Sequence, residues 1–195
     1  MASIGLSKPY FSVYTESTGA YAGATLMGKA TTWELSLDSG SDNVLYGDNA
    51  PAESETQFAG GTIAIGTTEL DASVIVPLLG VTKTTETIGT ASVEGLHYDD
   101  RQAVPYVGVA AIRKAMIGGV VKYQAIMLNK VKFSNLAESL ETQGETITWN
   151  TPTIEGAVSK DDSTYHEWKK ESGLLATEAE AIAVITAWMA APTEG

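Results

Sequence analysis

One stretch near the start of the chain has residues that could hold phosphate. Residues 23–30 (GATLMGKA) fit the first seven positions of the phosphate-binding loop G-x-x-x-x-G-K. In such a loop a Ser or Thr at the eighth position binds magnesium, and a helix then begins whose N-terminus holds phosphate. Ala30 has no hydroxyl, and the residues around Trp33 alternate as in a strand. We therefore interpret Gly23 and Gly28 as turn residues flanking a short strand.

Acid–base or metal chemistry would need the two histidines and the carboxylates near them. The candidates are His97, Asp99 and Asp100, and then Asp161, Asp162 and His166. Their spacing matches no metal-ligand pattern, and adjacent carboxylates on a strand point to opposite sides, so polar surface loops explain them equally well. The chain has no Cys and no G-x-S-x-G motif, which excludes thiolate chemistry and a nucleophile elbow. We expect no catalytic residue, metal ion or cofactor.

The composition is that of an acidic globular protein. The 195 residues carry 12 Lys and Arg against 24 Asp and Glu, which gives a net charge of −12. Tight binding to nucleic acid phosphates needs clustered cations, so this balance argues against it. No signal segment is recognisable at the start, and no apolar run is long enough to span a membrane. We expect a soluble, non-exported single domain over residues 1–195 that binds no membrane.

Charge is segregated along the chain. Residues 30–82 contain acids and no Lys or Arg, and these acids are Glu34, Asp38, Asp42, Asp48, Glu53, Glu55, Glu69 and Asp71. Residues 101–133 contain no acid, and their cations are Arg101, Arg113, Lys114, Lys122, Lys130 and Lys132. The two segments can pair within one molecule, or between copies arranged head to tail. The sequence leaves both possibilities open.

Most of the predicted elements are strands. Short runs rich in Val, Ile, Thr and Tyr are separated by Gly, Asn and Asp, which is typical of β structure. Residues 104–113 and 120–133 predict a long hairpin with its turn at residues 117–119. Its second arm should present the odd-numbered residues from 121 to 127, with 131 and 133, on one face and the lysines on the other. Residues 145–149 and 153–158 predict further strands.

Helices and loops are fewer. Thr177 and Glu180 form a capping box, after which Ile182, Ile185 and Met189 fall on one helical face. A shorter helix is predicted at residues 71–79 and one turn at 134–140. Residues 39–57 read as a long polar loop.

Six segments together resemble the major tail proteins of phages with long non-contractile tails, the type common in phages of Gram-positive bacteria. They are residues 5–19 (GLSKPYFSVYTESTG), 43–70 (NVLYGDNAPAESETQFAGGTIAIGTTEL), 98–114 (YDDRQAVPYVGVAAIRK), 129–135 (NKVKFSN), 142–156 (TQGETITWNTPTIEG) and 166–171 (HEWKKE). The resemblance implies a β-sandwich or barrel-like fold with a flanking helix, and a structural role without catalysis. Six copies would close into a ring, and rings would stack into the virion's tail tube.

Further expectations follow from the resemblance. DNA would pass through the tube without specific binding, since an acidic wall repels phosphates. Partners would be other copies of the chain, a tape measure protein and tail terminator and initiator proteins, with assembly in the bacterial host cytoplasm. Residues 39–58 would form an extended loop that reaches the neighbouring ring.

Charge complementarity suggests which residues would carry assembly. The interface candidates are Asp38, Asp42, Asp48, Glu53, Glu55, Arg113, Lys114, Lys122, Lys130 and Lys132. Two alternatives remain. The chain could form the inner tube of a phage-derived tail-like particle that carries no DNA. From a different class, it could be a monomeric carbohydrate-binding β-sandwich that uses exposed Trp33 or Trp168.

Overall fold

A computed structural model describes residues 2–39, 43–47, 50–55, 58–100, 102–134, 136, 142 and 151–191. The fold is mainly β with a flanking helix, as the sequence predicts. The strands of these residues are β1 (Ala2–Thr15), β2 (Ala20–Tyr21), β3 (Thr25–Leu26), β4 (Ala30–Ser39), β5 (Asn43–Gly47), β6 (Ala50–Glu55), β7 (Phe58–Thr67), β8 (Thr82–Ile88), β9 (Ala91–His97), β10 (Val107–Ile117), β11 (Val120–Phe133), β12 (Thr153–Ser159) and β13 (Lys169–Glu171). The helices are α1 (Ala72–Leu79) and α2 (Glu178–Trp188).

The predicted long hairpin is confirmed as the centre of the main sheet. Strands β10 and β11 pair antiparallel from Ile117 opposite Val120 onward. The turn residues Gly118 and Gly119 have φ angles of +57° and +79°. Two successive positive φ values are the geometry of a tight two-residue hairpin turn, which glycine adopts without steric cost. The Gly-Gly pair in the sequence is therefore a correct turn signal.

A β-bulge corrects the predicted faces of the second arm. Val109 pairs with Leu128 and Val107 pairs with Val131, so β11 carries one extra residue there. Because side chains alternate along a strand, the extra residue exchanges the two faces. Met127 consequently packs on the side of α2, whereas Val131 packs on the opposite side of the sheet. The prediction that both lie on one face is wrong.

The main sheet curves around one of two hydrophobic cores. Its strand order is β2-β1-β10-β11-β12-β7-β4, with β3 paired to β1 and β13 paired to β11. Strand β4, at one end of this order, comes close to β1 near the other end. Strands β1, β10, β11, β12 and β7 all contribute buried residues to the same core, which also holds Leu78 and Leu79 of α1. This part of the fold is barrel-like.

The second core lies on the other side of the hairpin, beneath α2. Ala181, Ile185 and Met189 pack there against β10 and β11. The capping box begins this helix as predicted, since the Glu180 backbone N–H donates to the Thr177 hydroxyl and the Glu180 carboxylate accepts from the Thr177 N–H. Because both faces of the hairpin are covered, β11 is buried without interruption from residue 124 to 131.

Two further hairpins pair outside the main sheet, β5 with β6 and β8 with β9. The first falls within the segment predicted as a polar loop, so that prediction is wrong for residues 43–47 and 50–55. Strand β12 confirms the prediction at residues 153–158. The predicted strand at 145–149 lies outside the described residues, as does most of the turn at 134–140. No helix in the described part of the chain is long and apolar enough to cross a membrane.

Candidate assembly interface

Arg113, one of the five candidate cations, is held within its own chain. It lies on β10 directly opposite Gln124 of β11, and its guanidinium donates to the Gln124 side-chain oxygen at 3.2 Å. A second guanidinium nitrogen lies 3.6 Å from a carboxylate oxygen of Glu171 on β13. Gln124 in turn donates to the backbone oxygen of Ser172 at 2.8 Å. These contacts join β10, β11 and β13, so Arg113 has a structural partner without a second copy.

Lys130 is also paired internally, and it is only 7% exposed. Its Nζ donates to Glu16 Oε1 at 2.8 Å and to Asp162 Oδ2 at 2.9 Å. The same Nζ lies 4.5 Å from the centroid of the Tyr106 ring and 5.6 Å from that of Tyr14. A buried ammonium with two carboxylates and two aromatic faces is well compensated.

The protonation of this cluster follows from its contacts. Burial by itself would lower the pKa of Lys130, but its hydrogen bonds to Glu16 and Asp162 outweigh burial and raise it. The hydrogen bonds from Lys130 and from the Tyr14 hydroxyl lower the pKa of Asp162. Lys130 and Asp162 are therefore both charged through the neutral range. It ties the β1–β2 turn and the segment after β12 to the central hairpin.

Lys114, Lys122 and Lys132 form no ion pair with any described residue, in contrast to Arg113 and Lys130. Lys114 and Lys122 lie near the turn of the hairpin, on opposite faces. Lys132 is exposed beyond the bulge, with its Nζ 5.3 Å from the centroid of the Tyr106 ring. We call these three residues the unpaired lysines; they are the cations of the long hairpin that remain free for a partner.

The acidic candidates lie elsewhere in the fold. Asp38 is exposed near the end of β4, opposite Gly60 of β7, and has no ion pair with a described residue. The backbones of Glu53 and Glu55 lie on β6, opposite Leu45 and Asn43. Asp42 and Asp48 fall outside the described residues.

No described ion pair joins residues 101–133 to the acidic residues 30–82. The partners of Arg113 and Lys130 are Glu16, Asp162 and Glu171, all outside the acidic segment. These three acids are separated from their partners by between 32 and 114 residues of sequence, so no local sequence motif predicts the pairs. The described contacts thus neutralise part of the basic segment without using the acidic one.

Among the described residues considered for catalysis, His166 lies beside Asp161 and Asp162, and no described contact joins this group to His97. His97 Nε2 on β9 lies 3.2 Å from Glu86 of β8, whereas His166 Nδ1 lies 3.3 Å from the backbone oxygen of Asp161. The described residues contain no group of three or more His, Asp or Glu suited to a metal ion. The segment resembling a phosphate loop is the short strand β3 between positive-φ glycines at 23 and 28, followed by β4 rather than a helix.

The tryptophans proposed for sugar binding are partly buried. Trp33 packs against the core enclosed by the curved sheet. Trp168 stacks on Phe58 with ring centroids 4.5 Å apart and an interplanar angle of 4°. A sugar-binding site of this kind needs an open aromatic face. The packing of both rings therefore gives little support to the carbohydrate-binding hypothesis.

No family model matches this chain, and no curated protein with which it was compared matches it.

Proposed function

We propose that this chain is a structural protein whose copies assemble head to tail into rings, and that the rings stack into a phage tail tube. The observation that carries the proposal is the charge left over after folding. Lys114, Lys122 and Lys132 lack ion pairs among the described residues, and the described acids of residues 30–82 form none with the basic segment. Surfaces of opposite charge on one chain favour a contact between unlike faces of two copies.

The resemblance to major tail proteins extends this proposal to a particular assembly. Rings would contain six copies, and the tube would carry DNA between a tape measure protein, a terminator and an initiator in the virion. A net charge of −12 supports passage without adhesion, because an acidic wall repels phosphates. The mainly β fold with a curved sheet is compatible with a tube subunit.

Charge reversal of the unpaired lysines tests the proposal. The variant changes Lys114, Lys122 and Lys132 to Glu and leaves Lys130 intact, because reversing Lys130 would also disrupt Glu16 and Asp162 within the chain. We expect negative-stain electron microscopy to show rings or tubes for the natural chain and none for the variant.

A control variant carries the same change in net charge elsewhere. Lys29, Lys160 and Lys170 are changed to Glu, and circular dichroism establishes that both variants fold. Equal loss of assembly in the two triple variants would mean that only net charge matters. Unchanged assembly of the Lys114, Lys122 and Lys132 variant would contradict the proposed role of the hairpin.

A further inference from the structure

The β8–β9 hairpin, which we call the arm, exposes two large apolar side chains on one face. Its strands belong to a two-stranded sheet of their own, and such a hairpin is marginally stable alone in water. Ile88 is 63% exposed and Val93 is 44% exposed. The register places Glu86 opposite Val93, so strand alternation puts Glu86, Ile88 and Val93 on the same face.

The other face of the arm, which we call the inner face, contacts its own molecule through Leu96. Leu96 lies on that face, opposite Lys83, and packs against the core enclosed by the curved sheet. Lys83 also pairs with Glu94 at 2.7 Å on the same face. Ile88 and Val93 lie on the opposite face from Leu96, which we call the outer face. Toward the base of the arm the outer face is half-buried at Thr84 and Gly95, so its large exposed apolar side chains lie near the turn.

The turn of the long hairpin, which we call the tip, presents a second small apolar surface. Ile117 and Val120 lie directly opposite each other and are 40% and 55% exposed. Lys122 lies two residues after Val120 and so on the same face. Its charge has no partner among the described residues. The tip thus combines an apolar pair with one cation.

We propose that the outer face of the arm of one copy docks on the tip of a second copy. Ile88 and Val93 would cover Ile117 and Val120, and Glu86 would face Lys122. The inference rests on the proposed self-assembly and names the surfaces that carry one of its contacts. Two observations select a second copy as the occupant. Glu86, whose described ion-pair contact is with His97 at 3.2 Å, is opposite in charge to Lys122, and both apolar pairs are exposed in the single chain, so they do not cover each other.

The geometry of this contact makes it open-ended. The arm and the tip are different surfaces, so each docked copy still offers one of each to a further copy. Contacts of this kind build rings or filaments rather than closed two-fold dimers. Each strand of the arm has seven residues and is about 23 Å long.

Cysteine cross-linking tests the contact directly, because the natural chain has no Cys. Chains carrying Val93→Cys are mixed with chains carrying Val120→Cys under a mild oxidant. The control pair is Thr85→Cys with Val120→Cys, since Thr85 lies on the inner face of the arm. We expect at least a tenfold higher yield of the cross-linked pair for Val93 than for Thr85. Equal yields would overturn the inference.

A charge exchange tests the pair of Glu86 and Lys122. Lys122→Glu should lower the Val93–Val120 cross-link yield at least fivefold, and adding Glu86→Lys should restore it. Glu94→Lys, on the inner face, should not restore it. Restoration of the cross-link yield by both lysine variants, or by neither, would contradict the proposal that Glu86 faces Lys122.

Electron microscopy of the natural chain separates this inference from the proposed function. Hollow tubes with no preferential Val93–Val120 cross-link would overturn the inference and would still support the proposed tube. Cross-linked chains of copies without hollow rings or tubes would support the arm contact and contradict the tube. Neither tubes nor cross-links would overturn both.

Discussion

Lys130 Nζ lies 2.8 Å from Glu16 Oε1, joining the central hairpin to the β1–β2 turn across 114 residues of sequence. The lysine is 8% exposed at its side chain, whereas Glu16 is 57% exposed and Asp162 is 45% exposed. The two sides of this ion cluster therefore differ in how easily water can replace a lost partner.

We predict that removing the acids costs more than removing the cation. Glu16→Ala combined with Asp162→Ala leaves the Lys130 ammonium buried without a carboxylate, which should lower the free energy of unfolding by more than Lys130→Met does. Lys130→Met leaves two carboxylates that water can reach, and its apolar chain keeps contact with Tyr106, so it should cost about 1 kcal/mol or less. Urea unfolding measures both. An equal loss of unfolding free energy in the two variants would contradict the difference in burial between Lys130 and its two acids.

The same cluster predicts how stability depends on pH. The pKa of Asp162 is lowered by Lys130, so its contribution is present above the ordinary carboxyl pKa of about 3.9 and is lost as pH falls through the lowered value. The pKa of Lys130 is raised, so its contribution is present below the ordinary lysine pKa of about 10.4 and is lost as pH rises through the raised value.

Urea unfolding should accordingly show a plateau between about pH 5 and pH 9, with losses on both sides. Lys130→Met should reduce both losses of stability. On the alkaline side it should retain the part due to Tyr21, whose pKa is raised by burial. On the acid side this variant should retain the loss of stability due to Glu171, whose pKa is lowered chiefly by its hydrogen bond from Lys169. Unchanged losses of unfolding free energy at both ends of the pH range in this variant would show that other groups control the pH dependence.

Gly80 and Gly19 provide a matched test of packing at a helix end. Both have a φ of +66°, so replacement by Ala carries the same backbone strain at each site, about 1 kcal/mol. A Cβ at Gly80 would clash with the Ala103 backbone oxygen, whereas one at Gly19 would lie 3.8 Å from the Tyr14 hydroxyl. We predict that Gly80→Ala costs about 1–3 kcal/mol more than Gly19→Ala. Thermal unfolding measures the difference, and similar melting temperatures would contradict the close approach of residue 103.

Local signals in the sequence predicted much of the fold. The Gly-Gly turn defined the long hairpin, and the Thr177 and Glu180 capping box located α2, because each signal acts over a few neighbouring residues. The bulge in β11 was missed. It is accompanied by a hydrogen bond from Asn129 Nδ2 to the Asp161 carboxylate and another from the Tyr21 hydroxyl to the Asn129 backbone oxygen, which involve residues distant in sequence.

The candidate interface was predictable only in outline. The sequence identified the basic segment but could not separate Arg113 and Lys130, which are paired inside the chain, from the unpaired lysines. That distinction depends on Glu16, Asp162 and Glu171, which tertiary folding brings to them. The hairpin of β5 and β6 was missed because its polar composition is typical of a loop.

Salt should weaken assembly if charge complementarity carries it. The Debye length falls from about 30 Å at 0.01 M ionic strength to about 8 Å at 0.15 M, so contacts among exposed charges weaken over this range. We predict that sedimentation velocity shows a falling fraction of assembled protein as salt rises. A smaller assembled fraction should persist at high salt because the arm contact also buries apolar side chains. Assembly that strengthens with salt would show that apolar contacts dominate.

Negative-stain electron microscopy of the natural chain tests the central proposal most directly. The purified protein is imaged at high concentration in low and in moderate salt, with and without a tail initiator complex to nucleate growth. We predict hollow rings or stacked tubes, more abundant at low salt. Compact monomers under all of these conditions, including with the initiator, would contradict the proposal that this chain builds a tube.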